Sequence, residues 1–394
     1  MVHSIEPDVA ALSRTEQQAT TTTRRSRTVS ELADGRTIIY FDDSHDAPVR
    51  TAVDGRPLGP QSTSGEIRYD ALVDDWVAVA GHRGDRTFLP PKDECPLCPT
   101  GTGSVPSEVP DPAYDVVVFE NRFPSYAEVS GLDVGSEAHS GPIGWKRPAL
   151  GRCEVVCFTS DHDSTFADLP PWRVRTVVDA WADRTRALGA LDEVQHVFCF
   201  ENRGQEIGVT LHHPHGQIYA YPYVPQRTGA MLRQASAHHE RTGRLLGADI
   251  LAAELAEGTR IVTQSEHWVA YVPFAARWPV EVHLAPRRDV ADIPSLTEVE
   301  RDDLATTYLD LLRRLDRFYV GTQGQTVDLP YIAGWHQAPA KRGREVSRLH
   351  LQLMSILRSP SKLKYLAGSE SGVGGWVNDV APETVAARLR DVAT

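Results

Sequence analysis

Apolar and polar residues alternate in short runs along most of the chain, and nine of these runs read as β-strands. They lie at Thr37–Phe41, Trp76–Ala80, Asp115–Phe119, Glu154–Phe158, His196–Phe200, Gln217–Tyr223, Trp268–Val272, Val280–Leu284 and His350–Ile356. Two longer segments carry the helical period instead. One follows Pro170-Pro171 and gathers Val174, Val177, Val178, Trp181 and Leu188 on one face. The other follows Pro294 and gathers Leu304, Tyr308, Leu311, Leu312, Leu315 and Tyr319, with Ser295 and Glu298 spaced as a capping box. Residues 1–30, rich in Thr, Ser, Gln and Arg, show almost no apolar periodicity and read as a disordered N-terminal extension.

The two halves of the remaining chain look like copies of one unit. Ala167-Asp168-Leu169-Pro170 matches Ala291-Asp292-Ile293-Pro294 at an offset of 124 residues, and Glu154-Val155-Val156 matches Glu281-Val282-His283 at 127. The stretch Leu211–His215 has a degraded counterpart in Arg348–Gln352 at 137. Three matches in the same order point to duplication and divergence.

Composition narrows the class. The 394 residues include 41 basic and 53 acidic side chains, a formal charge of −12, with 41% hydrophobic and 24% charged residues. This is an ordinary soluble globular chain, and the acidic surplus argues against a nucleic-acid partner. No apolar run approaches the roughly 18 residues of a membrane span, and the N-terminus has no apolar signal segment. Five cysteines are too few for a disulfide scaffold, so a cytoplasmic location is expected. Only five of the 41 basic residues are lysines, so a lone arginine carries little weight here.

The richest chemistry lies in Thr210-Leu211-His212-His213-Pro214-His215-Gly216-Gln217. If extended, it projects His213, His215 and Gln217 from one face beside a flexible Gly216. Imidazole at neutral pH serves as nucleophile, base or metal ligand. Cys95-Pro96-Leu97-Cys98 places two thiols at the spacing that closes on one Zn²⁺, a spacing equally compatible with a redox pair or an incidental one. With no second such pair, any further ligands should be histidines, His162 and His213 being the candidates. Phe119-Glu120-Asn121-Arg122 and Phe200-Glu201-Asn202-Arg203 each end a strand-like run in an Asn that suits either a phosphate or ribose contact or a turn. Arg83 and Arg86 are spaced to grip a diphosphate or to sit as a solvated pair.

Taken in order, Cys-x-x-Cys, Asp161-His162, Phe-Glu-Asn, His-Pro-His-Gly-Gln, Glu266-His267-Trp268 and Gly334-Trp335-His336 resemble the galactose-1-phosphate uridylyltransferase family of the histidine-triad superfamily. The likeness runs from Arg68-Tyr69-Asp70 to Lys364-Tyr365-Leu366. It implies an α+β fold of duplicated histidine-triad-like units, 31–225 and 226–394, forming a largely antiparallel sheet flanked by helices, in a homodimer with a shared active site. It also implies a double displacement: His215 attacks the α-phosphorus of UDP-glucose, and galactose 1-phosphate then takes the uridylyl group. Gln217 and Thr210 would serve the nonbridging oxygens. Structural zinc would be held by Cys95, Cys98, His162 and His213. Leu97 would pack near the uracil, with Asn121 close to the nucleotide. Asn202, Arg83 and Arg86 would hold phosphates, while Lys364 and Glu370 would approach the nucleotide sugar, some of these residues acting across the dimer interface.

The chain also departs from the pattern. Some family members carry a second metal on one Glu and three His; here His336 and His350 match, but Gln352 replaces the third His and Met231 falls at the Glu position, so that site is expected to be weak or absent. Thr210 stands where a Ser is frequent, and the Ala367–Gly372 phrase lacks a Tyr of well-known members, which leaves the preferred hexose open. Two other readings are carried forward: a nucleotide-sugar or dinucleotide phosphorylase or adenylyltransferase on the same fold, and a non-catalytic nucleotide-binding zinc protein.

Overall fold

A computed structural model describes residues 26–44, 46, 48–59, 65–81, 89–128, 138–139, 141, 143–321 and 323–393. In chain order, the N-terminal half contributes β1 (Ser26–Glu31), β2 (Thr37–Asp42), β3 (Glu66–Asp70), β4 (Asp75–Val79), β5 (Val116–Glu120), β6 (Ala138–His139), β7 (Trp145–Pro148), β8 (Arg152–Cys157), α1 (Pro171–Gly189), β9 (His196–Arg203) and β10 (His215–Tyr221). There follow α2 (Gln226–Thr242), α3 (Leu246–Glu257), β11 (Ile261–Gln264), β12 (Trp268–Tyr271), β13 (Val280–Pro286), α4 (Glu298–Asp316), β14 (Tyr331–His336) and β15 (His350–Ser355). The C-terminus adds β16 (Leu357–Ser359), β17 (Lys362–Leu363), α5 (Gly368–Val373) and α6 (Pro382–Asp391). Among the described residues no helix is long and apolar enough to cross a membrane.

Eleven strands form one antiparallel sheet in the order β1-β2-β5-β8-β10-β9-β14-β15-β13-β12-β11. The order repeats about the β9–β14 seam: β2, β5, β8, β10 and β9 on one side answer β11, β12, β13, β15 and β14 on the other. The helices answer likewise, since α1 and α4 both run 19 residues. This is the duplicated α+β architecture expected from the sequence. Because β1 begins at Ser26, regular structure reaches into the segment read as a disordered extension; residues 1–25 lie outside the described residues.

One layer of helices covers one face of the sheet. Val174, Val177, Val178, Trp181 and Leu188 of α1 and Leu304, Tyr308, Leu311, Leu312 and Leu315 of α4 are all buried, as their spacing predicts, and belong to one core that runs through both halves. Aromatic rings bind that core across the seam: Trp181 and Trp268 both pack on Trp335, with ring centroids 6.1 Å apart in each case. Such edge-on pairs add about 0.5–1.5 kcal/mol each beyond the area they bury.

Two local readings of the sequence fail here. The capping box of α4 is Thr297 with Glu300, while Ser295 donates to Asp292 in the preceding turn. The match of Glu154 with Glu281 is out of phase. Glu154 points to the helices and takes Arg184 of α1 at 2.8 and 2.9 Å, whereas Glu281 points to the opposite face and receives Gln352. Side chains alternate with period two along a strand, so aligning β8 with β13 one residue out of step exchanges their faces.

Candidate active site

The face turned away from the helices is covered at both edges and left accessible in the middle. On the N-terminal side, the loop carrying Cys95, Leu97 and Cys98 packs on Ile38, Val117, Phe119 and Val155. The small sheet β4-β3-β7-β6 packs through Ile67 on Tyr126 and Cys153, with Tyr219 and Tyr221 against the cluster. On the C-terminal side α3 places Leu251 on Val269, Tyr271 and Ala285. Strand alternation sets His215, Gln217 and Tyr219 on this face, with Gly216, Ile218 and Ala220 toward the helices. Gly216 pairs with Glu201, so Asn202 comes opposite His215 one step further along the ladder.

Hydrogen bonds define the state of His215. Its Nδ1 lies 2.8 Å from the carbonyl oxygen of His213, an acceptor only, so Nδ1 carries the proton and Nε2 keeps a free lone pair. Burial lowers its pKa and the carbonyl bond partly opposes this, which favours the neutral ring. Gln217 and Asn202, both half-buried, have no side-chain hydrogen bond to the described residues, so their amides remain available beside that nitrogen. A neutral nitrogen nucleophile flanked by free amide donors is arranged to attack phosphorus and to receive the charge that collects on its oxygens.

Gly216 proves to be a close-packing position rather than a flexible one. A Cβ there would stand 2.7 Å from Cζ of Phe158 and 2.8 Å from the carbonyl oxygen of Phe200. Only glycine lets β10 sit between its neighbours at this depth.

The four residues proposed as zinc ligands come together. Ligand atoms of Cys95, Cys98, His162 and His213 all lie within 4.8 Å of one another. Sγ of Cys98 is 3.4 Å from Nδ1 of His162 and 3.5 Å from Nδ1 of His213. A tetrahedral centre with ordinary zinc–sulfur and zinc–nitrogen bonds has edges of about 3.5 Å, so these separations fit it. Nε2–H of His213 faces the Thr159 carbonyl oxygen at 2.8 Å and the Tyr114 hydroxyl at 2.9 Å, and Tyr114 donates to the Leu97 carbonyl. That pattern leaves Nδ1 of His213 bare toward the cluster. Burial beside Cys95 pushes the Cys98 thiol up to about 12, the cost of holding thiolates here without a cation. Tyr114 was not visible from sequence, where it is one aromatic residue before a strand.

Behind the cysteine loop stands a buried ion network that sequence reading also missed among so many arginines. Glu108 takes Arg36 at 2.5 Å and Arg56 at 2.8 Å, while its own backbone N–H donates to the Pro96 carbonyl.

Other predicted residues take varied places. Leu97 is 2% exposed and forms part of the core beneath the loop. Asn121 accepts the backbone N–H of Phe123 at 2.9 Å, a turn, so the two Phe-Glu-Asn-Arg phrases serve different ends. The Thr210 carbonyl accepts from Leu89 N–H, which ties down the chain just after Phe88. Arg83 and Arg86 lie outside the described residues. Lys364 is buried and bonds the Arg277 carbonyl at 3.1 Å, with Glu370 at 3.5 Å, so this pair meets within the C-terminal segment. In the C-terminal half His336 donates to Gln352 at 3.0 Å, Gln352 donates to Glu281 at 2.5 Å, and Met231 lies on α2.

Known proteins match the chain along most of its length. Models for the N-terminal and C-terminal domains of galactose-1-phosphate uridyl transferase match residues 59–225 and 231–394. The galactose-1-phosphate uridylyltransferase of Streptomyces lividans is 47% identical over 376 residues, 93% of this chain and 98% of that one. The one from Thermotoga maritima is 34% identical over 336 residues, 83% of this chain and 98% of that one. A solved structure of a uridylyltransferase superposes with a TM-score of 0.73 at 33% identity, covering 83% of this chain and 98% of that one.

Proposed function

The chain belongs to the galactose-1-phosphate uridylyltransferase family, and on that premise we propose that His215 carries the uridylyl group between its two substrates. The enzyme exchanges UMP between UDP-glucose and galactose 1-phosphate. The observation that carries the proposed nucleophile is the free Nε2 lone pair of His215, fixed by the Nδ1–H bond to the His213 carbonyl.

In the first step Nε2 attacks the α-phosphorus of UDP-glucose. The bond from phosphorus to the bridging oxygen breaks, and glucose 1-phosphate leaves with that electron pair. The ring is then cationic, and the His213 carbonyl facing Nδ1–H stabilises it. Gln217, Asn202 and Thr210 serve the phosphoryl oxygens. In the second step a phosphate oxygen of galactose 1-phosphate attacks, the N–P bond breaks, and neutral His215 returns. Pro214 limits the backbone between the two histidines and so helps hold the ring in line. Arg83 and Arg86 grip the diphosphate, and Leu97 and Asn121 border the nucleoside.

We assign Cys95, Cys98, His162 and His213 to zinc, on the support of their donor chemistry and mutual spacing. Four protein ligands leave no open position, so the metal supplies a cross-link rather than a Lewis acid. His213 joins two tasks: its ring faces the cluster and its carbonyl orients His215. A second metal position is weak or absent, since Gln352 ties His336 to Glu281 by hydrogen bonds where some relatives hold an ion. The enzyme works in the cytoplasm as a homodimer of chains divided at 225/226. Lys364 and Glu370, which pair with each other at 3.5 Å, serve the sugar of the nucleotide across the dimer interface.

Intact-protein mass spectrometry tests the nucleophile. UDP-glucose alone should add one uridylyl group, galactose 1-phosphate should remove it, and His215→Gly should form none while keeping its fold. A uridylyl adduct on the His215→Gly protein, or preferential adenylyl adducts on the wild type, would overturn the assignment.

A further inference from the structure

A cleft of about 830 Å³ lies between the β3–β4 hairpin, the far end of β10 and the start of α2, and contains none of the residues assigned above. Tyr223 lines it two residues beyond β10, whose opposite end carries His215. Six strand rises of about 3.3 Å separate the two ends of β10, so the cleft stands roughly 20 Å from the transfer site. Its size falls within the range of small-molecule sites.

Three guanidinium groups from separate elements meet there, in a chain whose formal charge is −12. Arg147 lies over the ring of Trp76 at 4.5 Å and spends one N–H on the Pro222 carbonyl, while its Nε is buried with no partner among the described residues. Arg233 of α2 and Arg342 have neither a hydrogen bond nor an ion pair among the described residues. α2 opens at Gln226 with no side-chain cap, so its first amides and the positive end of its dipole add to the same potential. Gln226 also donates to the Val73 carbonyl at 3.2 Å, which ties the helix to the hairpin and holds the walls together. Of the two carboxylates at the cleft, Asp74 already accepts from Tyr69 at 2.8 Å, while Glu193 has no hydrogen bond among the described residues and can take a hydroxyl group.

We propose that this cleft is a second binding site, for an organic phosphate. The phosphate is taken by Arg147, Arg233 and Arg342, and the body of the molecule rests against Trp76 and Tyr223. Guanidinium forks match phosphate oxygens, and the half-buried Trp76 and Tyr223 side chains give the body of the molecule an apolar wall to rest against.

Calorimetric titration of the full chain with UMP, with glucose 1-phosphate and with inorganic phosphate tests this, alongside a Arg233→Glu/Arg342→Glu double variant. Both arginines touch no transfer residue, so the variant should keep its melting temperature and exchange rate. At least one organic phosphate should show one more saturable site on the wild type than on the variant, or the extra site should weaken at least about thirtyfold. UMP and glucose 1-phosphate distinguish a nucleotide from a sugar phosphate as the source, and the tighter of the two must exceed inorganic phosphate, because the aromatic wall takes part. Equal site counts and affinities in the two proteins, or binding of inorganic phosphate as tight as the tighter organic one, would overturn the proposal. The comparison is a difference between two proteins, so it stands whether or not the transfer site itself holds UMP.

Discussion

Gly216→Ala is expected to lower stability and transfer rate together while leaving zinc content unchanged. The added methyl would stand 2.7 Å from Phe158 Cζ and 2.8 Å from the Phe200 carbonyl oxygen. Carbon–carbon contacts relax at about 3.5–4.0 Å, so the neighbours must part by about 0.8 Å or more. Phe158 cannot swing aside, because it is fully buried with Phe166 at 4.8 Å and Trp181 at 6.2 Å. The Phe200 carbonyl belongs to the ladder of β9, so the strain falls on β10 itself. Overpacking of this kind costs about 1–3 kcal/mol. With an unfolding entropy of about 2 cal/mol/K per residue, a chain of this length should lose roughly 1–4 °C in melting temperature. The rate should suffer more. His215 precedes the clash by one residue, and a misplacement near 1 Å costs on the order of a hundredfold. Transfer of label from UDP-glucose to galactose 1-phosphate, beside thermal melts and zinc analysis, checks this. An alanine protein with wild-type rate and melting temperature would refute the packing account of the glycine.

Three further outcomes follow from the same geometry. Burial pushes the Glu201 carboxyl up to about 7, against its ordinary 4.5, although Arg203 and the Tyr331 hydroxyl oppose the shift. The folded state therefore binds the extra proton, and stability falls as pH rises from about 4.5 to 7 by up to roughly 3 kcal/mol. Glu201→Gln should remove that slope, gaining about 4 °C on the wild type between pH 4.5 and pH 8; a pH-independent difference in thermal melts would contradict the raised pKa. His213→Ala should lower zinc from one per chain toward none and reduce stability, and an unchanged zinc content by elemental analysis would place the ligand elsewhere. Glu108→Ala leaves the buried guanidinium groups of Arg36 and Arg56 without their shared carboxylate and should cost about 3–5 kcal/mol in chemical denaturation. A loss below 1 kcal/mol would mean that Asp34 and Asp54 satisfy both groups on their own.

Much of the site was legible because it is local. His213, His215 and Gln217 fall within five residues; period-two alternation puts His215 and Gln217 on one side of β10, while His213 lies in the bend just before that strand. The spacing of Cys95 and Cys98 carries a metal hypothesis by itself, and apolar residues at helical spacing foretold the buried faces of α1 and α4. Less local features escaped. The strand Tyr331–His336 contains Gly334 and gives little strand signal, yet it forms the seam between the halves. The helix α2 buries no residue fully, so its sequence lacks the apolar stripe that marks a helix against a core.

By itself, the sequence determined which residues share a face, which segments are helical and which short phrases bear nucleophile and metal chemistry, since these depend on neighbours within a turn or a pleat. Only the tertiary structure decided which face meets the helices, why residue 216 must be glycine, that Tyr114 and Thr159 orient His213, and that Glu154 and Glu281 point to opposite sides. Each of these depends on strand register and on contacts between residues far apart in the chain, and a shift of one residue in register reverses the face without altering the local pattern.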